Sequence, residues 1–153
     1  MTFSKLGLKE EISKVLFENS YINPTTIQER VIPLVLEKKD IIARAQTGSG
    51  KTASFVLPIL ELWSEQNYEG KPKIRALVLT PTRELALQVS YAFTQFSSNL
   101  EKKPKLVSII GGQSIGDQLL EIQKGCDIVV ATTGRLLDIL EKKQLNLSAL
   151  EFF

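Results

Sequence analysis

The sequence predicts an α/β fold, an open parallel sheet with helices on both faces, from three observations. Short runs rich in Val, Ile and Leu recur along its 153 residues, segments with apolar side chains at spacings of three and four separate them, and a glycine-rich turn joins the first run to the helical pattern that follows. Strands that alternate with helices pair in parallel through crossovers, and such sheets bind ligands at the carboxyl ends of their strands.

The strand candidates are "DIIARA" (40–45), "IRALVLTP" (74–81), "LVSII" (106–110) and "DIVVAT" (127–132). Each is short and apolar enough to be covered on both faces. Helical spacing is clearest over 83–96, where Leu85, Val89, Ala92, Phe93 and Phe96 share one stripe. Further helices are expected at 8–18, 26–38, 51–63, 115–124 and 135–142, with Pro33 and Pro58 bending or interrupting two of them. The polar stretches 64–73 and 99–105 read as exposed loops, and the "EKK" repeats at 37–39, 101–103 and 141–143 as solvated ends. Trp63 and the phenylalanines at helical spacing read as packing residues, and Cys126 as an inert small one.

Composition narrows the chemistry. Apolar residues make up 43%, and 19 Lys plus Arg against 17 Asp plus Glu leave a net charge of +2, so any basic surface must be local. One cysteine and no histidine exclude intrachain disulfides, a Cys/His zinc site and any histidine-based triad. Charges break the apolar residues of the amino terminus, and no apolar run reaches membrane-spanning length, so a cytoplasmic protein with no membrane partner is expected.

The turn reads Ala45, Gln46, Thr47, Gly48, Ser49, Gly50, Lys51, Thr52. This is a phosphate-binding loop with Ala45 in place of the usual first glycine. The glycines let successive N–H groups converge on an anion, Lys51 adds charge at the outer phosphates, and the Thr52 hydroxyl is placed to ligate magnesium. Lys51 and Thr52 are therefore the catalytic candidates. The helix that follows turns its positive end towards the same anion.

Upstream, "NPTTIQ" (23–28) has two readings. Thr25 and Gln28 have the spacing of a capping box, which would satisfy two orphan N–H groups of a helix. Taken together with the loop at 45–52, the segment also resembles the Q motif of the DEAD-box ATP-dependent RNA helicases. That resemblance implies that Gln28 reads the adenine edge of ATP and that the upstream aromatic Phe3 packs on the base. Ser20 departs from the family's common glycine before Tyr21.

The resemblance continues at "PTRELA" (81–86), at Gly111 and Gly112, and at "TTGR" (132–135), which match motif Ia, the GG motif and motif Ib. Thr133 stands where motif Ib usually has proline. The likeness implies that Pro81, Thr82, Arg83, Gly111, Gly112, Thr132, Gly134 and Arg135 contact an RNA backbone. The residues themselves point the same way. Arg83 and Arg135 fall in the first turns of expected helices, where the macrodipole disfavours a cation by roughly 0.3–1 kcal/mol until an anion binds. Thr82 and Thr133 are the expected N-caps. Backbone contacts position a nucleic acid without reading its sequence, so little sequence preference is expected.

Hydrolysis also needs a carboxylate that holds magnesium from a neighbouring strand end, and a group that orients water. No acidic residue here follows an apolar strand. The resemblance implies a RecA-like domain, incomplete over 1–153, with its Q-motif region at 1–29, and it places the D-E-A-D motif, the S-A-T motif and a second helicase domain outside this sequence. The expectations are ATP and Mg2+ as cofactors, RNA as partner, no hydrolysis by the 153-residue chain alone, and open sheet edges that favour low stability or self-association. Two other readings stay open: a stand-alone RNA or nucleotide module, and an unrelated P-loop NTPase.

Overall fold

The computed structural model describes residues 2–66 and 68–153. The helical spacings become six α-helices: α1 (Glu10–Glu18), α2 (Thr26–Leu36), α3 (Lys51–Ser64), α4 (Arg83–Phe96), α5 (Ile115–Gln123) and α6 (Thr133–Glu141). A 3-10 turn at Phe3–Leu6 precedes them. The strands among the described residues are β1 (Ala76–Thr80), β2 (Leu106–Ile109) and β3 (Ile128–Thr132). The chain divides into two compact units, Met1–Gln66 with Ala92–Lys103, and Asn67–Tyr91 with Pro104–Phe153.

The second unit holds the sheet, parallel and in the order β1-β3-β2. Ala76 pairs with Ile128 and Thr80 with Thr132, while Leu106 pairs with Ile128 and Ile109 with Ala131. The central strand is the most apolar, and four of its five residues are buried. Side chains alternate across a strand. Leu77, Ile109, Val129 and Ala131 therefore share one face, where they pack with Leu119 of α5 and with Leu136 and Ile139 of α6. On the opposite face Ser108 shares a 2.8 Å hydrogen bond with Ser90 of α4. Helices thus cover both faces, as the sequence predicts.

In the first unit α2 packs along α3. Ile12, Leu16, Ile32, Val56, Leu57 and Leu60 are fully buried. The end of α4 belongs here too. Its Gln95 donates to Asn19 at 2.7 Å, and Phe96 meets Tyr21 edge-on with ring centroids 5.5 Å apart.

The structure corrects three expectations. Residues 40–45 form no strand, and Ile42 is fully exposed. An apolar run becomes a strand only when a neighbour completes its ladder, and among the described residues no strand pairs with this segment. Pro33 and Pro58 lie inside α2 and α3 without interrupting them. Each proline removes one backbone bond, yet both helices continue through it. The N-cap of α6 is Thr132, and Thr133 is the first helical residue. The loop expected at 64–73 starts after α3, apart from Asn67, which lies outside the described residues. All three "EKK" segments are exposed, and Trp63, Phe93 and Phe96 are buried. Burial pushes the Cys126 thiol up to about 12, which keeps it protonated and inert.

Candidate functional site

Gly48 and Gly50 take left-handed φ values of 80° and 88°, so the chain reverses tightly just before the first turn of α3. Lys51 folds back into this turn, where its Nζ donates to the carbonyls of Ala45 at 2.6 Å and Gln46 at 2.7 Å. The ammonium therefore holds the loop closed on itself. Ser49 Oγ is buried and has no hydrogen-bond partner among the described residues. A buried hydroxyl in that state costs about 1–3 kcal/mol until an acceptor or donor reaches it. Thr52 occupies the second position of α3, one residue after Lys51.

Gln28 is 2% exposed and belongs to the same unit. The capping box forms, and its short arm runs from the N–H of Thr25 to Gln28 Oε1 at 2.9 Å. The other end of the amide reaches the loop: Gln28 Nε2 donates to the carbonyl of Gly50 at 3.2 Å, and the Thr25 hydroxyl donates to the carbonyl of Ser49 at 2.8 Å. The N-terminus of α2 thus braces the phosphate loop through two side chains. Phe3 is also buried, at 4% exposure, so its ring packs inside the unit and leaves little face for a base to cover.

The remaining predicted residues meet in the second unit. Pro81, Thr82, Arg83, Gly111, Gly112, Thr132, Gly134 and Arg135 all line one groove of about 620 Å³ at the carboxyl ends of β1, β2 and β3. Thr82 caps α4, with its hydroxyl accepting from Leu85 N–H at 3.2 Å. Arg83 follows as the first helical residue and lies against the glycine turn. A Cβ on Gly111 would come within 3.2 Å of its Nη2, and one on Gly112, where φ is +80°, within 2.5 Å of its Nη1. Arg135 closes the other side. Its Nη1 donates to the carbonyl of Gln113 at 2.8 Å and to Gln118 Oε1 at 3.2 Å, and its Nε lies 4.0 Å from Asp138. Thr132 caps α6 by backbone position only, with no side-chain bond to the helix N–H groups.

Sequence reading did not single out Gln118, nor the two carboxylates Glu84 and Asp138 that join the arginines in the groove. Their spacings resemble those of any amphipathic helix. Among the described residues no group of three acidic or cysteine side chains could hold a metal. Thr52 presents its hydroxyl in the first turn of α3, beside the loop. The donor set of the loop suits a polyphosphate: a lysine, turn N–H groups, a helix N-terminus and the orphaned Ser49 hydroxyl.

The chain is similar to known proteins along nearly its whole length. Residues 25–153 match the profile of the DEAD/DEAH box helicase family. The DEAD-box ATP-dependent RNA helicase RhpA of Helicobacter pylori (strain B128) is 43% identical over 145 residues, which cover 95% of this chain and 28% of that protein. Probable ATP-dependent RNA helicase MJ0669 of Methanocaldococcus jannaschii is 42% identical over 154 residues, covering 100% of this chain and 40% of that protein. Among solved structures, a DEAD box protein from the hyperthermophile Methanococcus jannaschii superposes with a TM-score of 0.87 at 41% identity, over 98% of this chain and 39% of that one. The RNA helicase Prp28 from Chaetomium thermophilum bound to ADP gives 0.85 at 37% identity, over 97% and 36%. The chain spans well under half the length of each of these relatives. Because the profile runs from the capping threonine Thr25 to Phe153, through the phosphate loop and every strand end of the groove, the chain belongs to the DEAD/DEAH box helicase family.

Proposed function

We propose that this chain is the nucleotide- and RNA-gripping part of an ATP-dependent RNA helicase, and that alone it binds both ligands without hydrolysing ATP. Bound there, ATP with Mg2+ brings a cleavable phosphoanhydride. Lys51, released from the carbonyls of Ala45 and Gln46, holds the outer phosphates; Ser49 and the loop N–H groups donate to them; Thr52 holds the metal. Each end of the Gln28 amide keeps capacity for one further bond beyond Thr25 and Gly50, which suits the paired donor and acceptor of an adenine edge. Capping and base reading are therefore compatible. The upstream aromatic role stays with Phe3, whose ring must turn out of the unit to reach a base.

The observation that carries the reading of the second unit is the single groove that gathers three separate strand ends. Two arginines and the N–H groups of α6, which no side chain caps, line it, and this donor set suits consecutive phosphates. Photo-crosslinking of an RNA carrying 4-thiouridine, followed by peptide mapping, tests this. Crosslinks concentrated at 81–84, 111–113 and 132–138 are expected, and crosslinks spread over the other surfaces would refute the assignment.

A further inference from the structure

We infer that Gln118 is a positioning residue for this groove: its buried amide ties the glycine turn to Arg135, so that the turn and the guanidinium present to RNA as one piece. The inference rests on reading the groove as an RNA-backbone site.

Gln118 lies on α5 and is 5% exposed. Its Nε2 donates to the carbonyl of Ile110 at 2.9 Å and to Gln113 Oε1 at 3.3 Å, while its Oε1 accepts from Arg135 Nη1 at 3.2 Å. The partners fix which end is which. A backbone carbonyl only accepts and a guanidinium only donates, so the site demands a side chain with one donor end and one acceptor end. An amide meets that demand; a carboxylate would face the Ile110 carbonyl with a lone pair, and an apolar side chain would satisfy neither partner.

The consequence falls on Arg135. Both Nη1 hydrogens have acceptors, at Gln118 Oε1 and at the Gln113 carbonyl. The edge made by Nε and Nη2 is what remains for an anion, beside Asp138 at 4.0 Å from Nε. The bonds to Ile110 and Gln113 bracket Gly111 and Gly112, so the same amide sets where the turn approaches a strand. Holding the arginine in advance removes a rotamer cost from binding.

The test uses the 153-residue chain, fluorescein-labelled decauridylate and a double-mutant cycle. Gln118→Leu and Arg135→Ala are each expected to weaken binding about tenfold, the scale of a lost hydrogen bond to a charged group, and the double variant to be no weaker than Arg135→Ala alone. Additive losses, or no loss from Gln118→Leu, overturn the inference while the groove assignment stands. No loss from Arg135→Ala refutes the assignment itself. If Gln118→Leu loses the parent's circular-dichroism spectrum, the Arg135 side-chain resonances of the unsubstituted chain decide. Two distinct Nη signals, from restricted rotation, support the inference, and one averaged signal overturns it.

Discussion

Gln28 Nε2 donates to the carbonyl of Gly50, joining the first turn of α2 to the phosphate loop 22 residues later. Gly50 is where the loop takes its left-handed φ of 88° and passes into α3. The side chain that completes a helix cap is thus also a strut of the loop, and what disturbs one disturbs the other.

Gly50→Ala tests that coupling. A methyl there collides with Gln28 Nε2 and lies 3.1 Å from Thr25 Oγ1, and the backbone conformation itself disfavours a side chain. The expected result is a loss of about 1–3 kcal/mol in unfolding free energy and at least tenfold weaker binding of a non-hydrolysable ATP analogue. Isothermal titration and thermal melts measure the two effects.

Lys51→Ala removes the ammonium that closes the loop in the structure and that holds phosphate in the proposed complex. ATP-analogue affinity should fall by at least tenfold, while adenosine, which lacks phosphates, should bind as before. RNA-stimulated phosphate release from ATP is expected to be no higher in the parent chain than in this variant. Release above that control would show that the chain hydrolyses ATP unaided.

At Gly112, substitution by alanine places a Cβ within 2.5 Å of Arg83 Nη1 at a φ of +80°. Either the turn or the guanidinium must shift. Fluorescence anisotropy should show RNA affinity reduced by about tenfold, comparable with the 1–3 kcal/mol of a strained left-handed residue, with ATP-analogue affinity unchanged.

The fold was legible where the signal is local. Apolar periodicity located the six helices of the described residues, and the apolar runs at 74–81, 106–110 and 127–132 contain β1, β2 and β3. It failed at 40–45, which has a strand's composition but no ladder partner among the described residues, because pairing is a property of two segments. The threonine before Gly134 was misplaced as a cap because Thr132 and Thr133 are chemically alike and only backbone dihedrals distinguish the N-cap from the first helical residue. The groove residues were legible through the likeness of 81–86, Gly111 with Gly112, and 132–135 to family motifs, and the structure gathers them in one groove. Gln118 was not, since a glutamine on an amphipathic helix has no signature until the carbonyl of Ile110 and the guanidinium of Arg135 are seen to face it.

Glu61 provides a pH test of the first unit. The side chain is buried on α3 and accepts from the N–H of Lys9, just before α1, at 2.6 Å. Burial raises its pKa above the usual 4.5, outweighing the Lys9 bond that lowers it. The folded state then holds the proton more tightly than the unfolded state. Its contribution to stability is full below about 4.5 and is lost as pH rises through the folded value. Glu61→Gln keeps the acceptor and removes the charge, so its melting temperature should exceed the parent's at pH 7, with the gap closing towards pH 4. An equal gap at both values would contradict this.

The central claim is that the strand-end groove holds an RNA backbone through its arginines. The most direct measurement is RNA affinity of the parent chain and of Arg83→Ala across a salt series, with two unrelated sequences of equal length. The account predicts that log affinity falls linearly with log salt, alike for both sequences, and that Arg83→Ala weakens both and lowers the slope by about one. Affinity that ignores salt, that depends on sequence, or that survives the loss of Arg83 unchanged would contradict it.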